Sequence, residues 1–271
     1  MSIPLSREEL DRAYNNSLAV SNSAQIIEAW GLASQAIRST NTPHNDLPYG
    51  NGQTASFDFF SAGLNTPIVA FIHGGFWQNR AKCDFTFIVP ALIASGISVA
   101  MLGYRLAPLV KMNHIIEDVR AGIRATIAHV TKLNGHCPDI WLTGWSAGGH
   151  LAVMTLNEPG VKGATAISGI YDLEPMRQCY INDKLALDAQ MVKEFSPMLL
   201  PQNSEKIVDL FVGGAELGEM QRQTIDFAAY RKKCGAPGTY VNLAGLNHYT
   251  ILDELGQPHG KILASIKAHL I

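Results

Sequence analysis

The stretch Asp139-Ile140-Trp141-Leu142-Thr143-Gly144-Trp145-Ser146-Ala147-Gly148-Gly149-His150 decides how the rest of the chain is read. Its first half is short and apolar, the pattern of a buried strand. From Ala147 to about Leu156 the pattern turns helical. A serine between two glycines at a strand-to-helix turn is the nucleophile elbow, G-x-S-x-G. The strained turn lifts the serine hydroxyl clear of the sheet, and a side chain at Gly144 or Gly148 would collide with its surroundings. The five residues alone occur by chance, so their weight rests on the elements around them.

Outward from this turn, strands and helices alternate. Residues 67–72 and 97–102 are continuous apolar runs, as central strands covered on both faces require. Residues 163–168, 207–212 and 239–243 continue the series, and Ser56–Phe60 reads as a half-buried edge strand. Helices are expected over 84–95, 112–133, 219–234 and 258–270. Residues 5–38 read as a helical arm, with Ile26, Ile27, Trp30, Ala33 and Ile37 at helical spacing. Residues 39–54, rich in Asn, Pro, Gly and Thr, read as loop, and 172–205 breaks the rhythm as an insertion. The alternation predicts the α/β class: a mostly parallel central sheet with helices on both faces, in one domain spanning 1–271.

Composition narrows the function. Apolar residues at 47% supply a sizeable core, while 16% charged residues and a net charge of −2 provide no basic field for nucleic acid. No run is long and apolar enough to span a bilayer, and residues 1–11 carry no signal-peptide pattern. Cys83, Cys137, Cys179 and Cys234 are scattered without C-x-x-C spacing, which suits a reduced, cytoplasmic protein. Asn15-Asn16-Ser17 is a glycosylation sequon in form only, given that context. No H-E-x-x-H occurs, and Gly213-Gly214 lacks the lysine of a phosphate loop, so no metal or cofactor is expected. The expected partner is a small-molecule substrate, with neither nucleic acid nor membrane; a homodimer is compatible with the sequence.

In such a sheet ligands bind beyond the carboxyl ends of the strands, so each catalytic candidate should directly follow a strand. His73-Gly74-Gly75-Phe76-Trp77 does. The amides of Gly75 or Phe76, with that of Ala147, are the candidate oxyanion donors; the alternative is a tight turn with no such role. His248 follows the last strand and is the candidate general base. His73 is expected to brace its own loop, and His150 lies on the wrong side to be the base. Glu216, after the 207–212 strand, is the favoured acid. Asp209 inside that strand should point away, and Glu219 should open the following helix, where a carboxylate offsets the helix dipole. Asp172 stays a competitor, the alternative for it being a turn or helix cap. Phe76, Trp77, Tyr104, Tyr171 and Tyr249 adjoin strand ends and are expected to line an aromatic pocket, with core packing as the alternative. The arm and 172–205 are expected to roof it, and Arg105 to brace a loop.

These motifs resemble the α/β-hydrolase superfamily over nearly the whole chain. Within it, His73–Trp77 and Gly144–His150 are similar to the kynurenine formamidase (arylformamidase) group and its esterase relatives. So are Ser168-Gly169-Ile170-Tyr171-Asp172-Leu173-Glu174-Pro175 and Val212-Gly213-Gly214-Ala215-Glu216, with Arg222-Gln223 beyond. The resemblance implies Ser146 as nucleophile, His248 as base and the acid at Glu216. Glu216 stands where that group usually has aspartate, and Trp145 where it commonly has histidine. It implies a serine hydrolase for an N-formyl aryl amide of the N-formylkynurenine type. The alternatives are a carboxylesterase for short acyl esters and a non-catalytic relative that binds a small ligand.

Overall fold

The structure is a computed structural model that describes residues 5–40, 44–136 and 139–271. Cys137, residues 1–4 of the N-terminal reading and residues 41–43 of the expected loop lie outside the described residues. Eight strands form one sheet: β1 (Leu47–Pro48), β2 (Ser56–Phe60), β3 (Ile68–Ile72), β4 (Ser98–Leu102), β5 (Ile140–Trp145), β6 (Val161–Ile167), β7 (Ile207–Gly213) and β8 (Tyr240–Leu243). Their spatial order is β1-β2-β4-β3-β5-β6-β7-β8. The six from β4 to β8 run parallel, and β1 and β2 are antiparallel to their neighbours.

Side-chain alternation along each strand builds two cores. Ile68, Ala70, Ile72, Ile140 and Leu142 face one side and pack with the Met112–Asn134, Ala147–Met154 and Gly218–Lys233 helices. Val69, Phe71, Val99, Met101 and Trp141 face the other, with Trp30 and the Lys261–Leu270 helix. Continuous apolar runs are what a strand needs when both faces are covered.

Several expectations change. Ser56–Phe60 is neither half-buried nor at the edge: all five residues are buried, and β1 lies outside it. Its polar residue misled the alternation, because Asp58 is 0% exposed and paired with Lys82 at 2.7 Å and with Arg38. The expected helical arm is built of three helices: Arg7–Ala13, Asn16–Ala19 and Ser23–Thr40. Ser6 caps the first in a capping box with Glu9, and the Asn15 side chain accepts the Leu18 N–H to start the second. Over 84–95 a 3₁₀ segment, Lys82–Ile88, precedes a helix, Val89–Ala94, that opens with Pro90. Proline suits a first turn, where an N–H has no partner within the helix. The closing helix starts at Lys261, with short turns over Thr250–Leu252 and Asp253–Gly256 before it. No helix among the described residues is long and apolar enough to cross a membrane.

Candidate active site

Ser146 sits at the junction of β5 and the Ala147–Met154 helix with φ 57° and ψ −120°. Only close approach makes this turn, and the glycines allow it. A Cβ on Gly144 would lie 2.1 Å from the Gly148 carbonyl oxygen, and one on Gly148 would lie 2.0 Å from that of Ile72. The backbone strain aims the hydroxyl into a cavity of about 340 Å³ that Gly75, Phe76, His248 and Tyr249 also line. No hydrogen bond joins the Ser146 hydroxyl to His248 among the described residues; both open on the same space.

His248 is fixed from three sides. Its Nδ1–H donates to Glu216 Oε2 at 2.7 Å. Its carbonyl accepts the Trp145 indole N–H at 2.8 Å, and the two rings lie 4.9 Å apart. Glu216 is itself held: its Oε1 accepts the Ser168 hydroxyl at 2.6 Å and the Gly213 N–H at 2.7 Å. One carboxylate oxygen is thus spent on the scaffold and the other on the imidazole. The longer glutamate arm at this position is folded back and anchored rather than left to swing.

The competitors serve the scaffold. Asp172 Oδ1 accepts the Glu174 N–H at 3.0 Å, a local turn, while the Gln223 carboxamide holds the Tyr171 and Asp172 amides at 2.8 Å each. Asp209 points away, to Thr239, Ser265 and His269. Glu219, in the first turn of its helix, accepts from Tyr14 and Arg222. Arg105 braces its loop through Asp118.

The Gly74–Asn79 loop turns tightly. Gly75 has φ 113°, and a Cβ there would lie 2.1 Å from the Asn79 carbonyl oxygen. Phe76 and Trp77 follow in left-handed conformations, φ 49° and 59°. Ala147 opens its helix, so its N–H has no partner within the helix. Behind this loop, His73 donates Nδ1–H to the Gly74 carbonyl and stacks on Tyr104 at 4.2 Å. Burial pushes its pKa down to about 4. Burial does the same to His150, also to about 4, whose Nδ1 accepts the Trp77 indole N–H.

Two of the five aromatic residues expected at the pocket, Phe76 and Tyr249, line the cavity. Trp77, Tyr104 and Tyr171 do not: each is buried in the core behind it. Trp77 is held by His150, Tyr104 donates to the His73 carbonyl, and Tyr171 stacks on Phe227 at 4.2 Å. Their places are taken by Trp30, Phe85 and Trp145. The roof is also corrected. The arm lines the cavity through Asn16, Ser17, Ile27 and Trp30, whereas no residue of 172–205 does. That insertion instead holds the arm, through Arg7 with Asp183 and the Tyr180 N–H with Asp11. Ser17 carried no positional signal in the sequence as a site residue, because it acts through Tyr249, far along the chain. Ser168 and Trp145 stood in quoted motifs, but their bonds to Glu216 and to the His248 carbonyl were not legible there.

Residues 61–162 match the BD-FAE family model. The kynurenine formamidase of Salmo salar is 30% identical over 227 residues, 78% of this chain and 76% of that one. The chain belongs to the kynurenine formamidase family. The kynurenine formamidase of Danio rerio is 26% identical over 84% of this chain and 82% of its own. A crystal structure from Silicibacter sp. TM1040, provisionally described as a thioesterase, superposes with a TM-score of 0.85 at 26% identity. That match covers 94% of this chain and 98% of the other. A thermophilic carboxylesterase from a metagenomic library shares the fold, at a TM-score of 0.74 and 21% identity over the full length of both chains. This member of the kynurenine formamidase family is therefore an α/β-hydrolase enzyme of the serine-hydrolase type, acting on amides or esters.

Proposed function

We propose that this hydrolase cleaves a small N-formyl aryl amide of the N-formylkynurenine type through a formyl-enzyme on Ser146. The observation that carries the catalytic assignment is the 2.7 Å contact between His248 and Glu216 in the cavity that Ser146 faces. Ser146 Oγ attacks the formyl carbon, and His248 Nε2 takes its proton. The Glu216 carboxylate stabilises the imidazolium. The amides of Gly75 or Phe76 and Ala147 hold the oxyanion, helped by the positive end of the Ala147–Met154 helix dipole. His248 then gives its proton to the departing amine, the C–N bond breaks, and water releases formate by the same steps in reverse.

A small, aromatic-walled cavity suits an aryl leaving group, with Trp30, Phe76, Phe85, Trp145 and Tyr249 around it. The relatives' name supports the formamide. The scattered thiols Cys83, Cys179 and Cys234 fit work in the cytoplasm, a reducing compartment. The test is a side-by-side assay of N-formylkynurenine and short p-nitrophenyl esters, with Ser146→Ala as control. The expected result is a higher kcat/KM on the formamide, lost by about 10³ or more in the variant. Turnover of the esters alone moves the enzyme to the carboxylesterases.

A further inference from the structure

Asn16 stands apart in the cavity wall. It is 4% exposed and lines the cavity beside Ser17 and Trp30. Neither its Oδ1 nor its Nδ2 has a hydrogen-bond partner among the described residues. Loose packing of the arm does not explain this. Asn15 Oδ1 accepts the Leu18 N–H at 3.0 Å, Ser17 Oγ meets Tyr249 Oη at 2.9 Å, and Tyr14 is bonded to Glu219 and Gln223 at 3.0 Å each. The chain on both sides of Asn16 is pinned while its own amide is left unpaired. A buried amide with neither donor nor acceptor engaged is costly, and natural chains rarely keep one that nothing completes.

We infer that Asn16 makes this hydrolase prefer amides to esters: its Oδ1 accepts the N–H of the scissile amide, and its Nδ2 donates to a second acceptor on the substrate. The inference rests on the Ser146 hydrolase reading. A secondary amide brings a hydrogen on the leaving atom. An ester of the same shape puts a bare oxygen there, so Oδ1 stays unpaired and meets another lone pair. A site built to bond a polar hydrogen rejects the analogue lacking it more strongly than an apolar pocket rejects an added group. The contact also serves the step. As His248 delivers its proton, the nitrogen lone pair must face the imidazole, which turns the N–H away from the imidazole. An acceptor there holds that arrangement until the C–N bond breaks and the amine leaves.

The test uses an N-formyl arylamine and the aryl formate of the same ring, on the wild type, Asn16→Leu, Asn16→Asp and Ser146→Ala. Asn16→Leu lowers kcat/KM on the amide about tenfold more than on the formate, as loss of one such bond predicts. Asn16→Asp keeps an acceptor oxygen and holds the amide-to-ester ratio nearer the wild type. The Tm of Asn16→Leu does not fall, because two unpaired polar groups leave the interior. An unchanged ratio in Asn16→Leu, with Ser146→Ala inactive on both substrates, overturns the role of Asn16 and leaves the hydrolase reading standing. Turnover surviving in Ser146→Ala overturns both.

Discussion

Ser146 and Ser168 directly follow or close neighbouring parallel strands, and they share one backbone device. Both are left-handed, with φ of 57° and 51°. Each donates its N–H to a carbonyl of the next strand, Ser146 to Ile167 at 2.8 Å and Ser168 to Phe211 at 2.7 Å. Their hydroxyls have opposite surroundings. That of Ser146 faces the cavity, with a helix starting behind it. That of Ser168 is buried and donated to Glu216. The strained turn therefore aims a serine past the end of a strand, but it does not make a nucleophile. What the hydroxyl faces decides that.

The largest effect along this comparison comes from Glu216, which the Ser168 hydroxyl holds and on which the base depends. Glu216→Gln keeps the shape but removes the charge that supports the imidazolium, and its amide can offer a donor to Nδ1 and select the wrong tautomer. A fall of about 10³ in kcat with little change in KM is expected by analogy with other triads. A loss of only a few fold returns Asp172 to contention. Ser168→Ala comes next. Removing one donor loosens the carboxylate, and kcat falls about tenfold, the scale of one hydrogen bond to a charged group. Retained kcat makes Ser168 a packing residue.

The smallest effect concerns stability. The Ser146 turn is backed by two buried imidazoles, His73 and His150, whose pKa burial lowers from 6.5 to about 4. In the unfolded chain they take up a proton near pH 6.5, in the folded chain only near 4. Their contribution is thus complete above pH 6.5 and is lost as the pH falls through about 4. Thermal melts should show Tm declining across that window, with a shallower slope in His150→Gln. An unchanged slope contradicts the buried neutral state of His150.

Much of the fold was legible because apolar runs of five or six residues separated by helical spacing leave few alternatives to a parallel sheet. Ser146, Glu216 and His248 were legible as candidates because each lies in the turn or loop that follows a strand. Tyr104 and Tyr171 misled for a related reason: both lie near strand ends, but their rings turn back into the core, where Tyr104 meets the His73 carbonyl and Tyr171 meets Phe227. Asp58 misled because a charge on an alternating strand reads as solvent-facing, and its partners, Arg38 and Lys82, lie 20 and 24 residues away. That the arm covers the cavity was expected, but which of its residues line it could not be read. Nothing in Ser17 or Trp30 signals that they meet Tyr249 and Trp145, more than a hundred residues on.

The most direct test of the central claim is covalent labelling with a fluorophosphonate probe, followed by peptide mass mapping, on the wild type and on His248→Ala. The account predicts one adduct, on Ser146, formed quickly in the wild type and orders of magnitude more slowly without the imidazole. Full hydrolytic activity with Ser146 unlabelled, or labelling indifferent to His248, contradicts it.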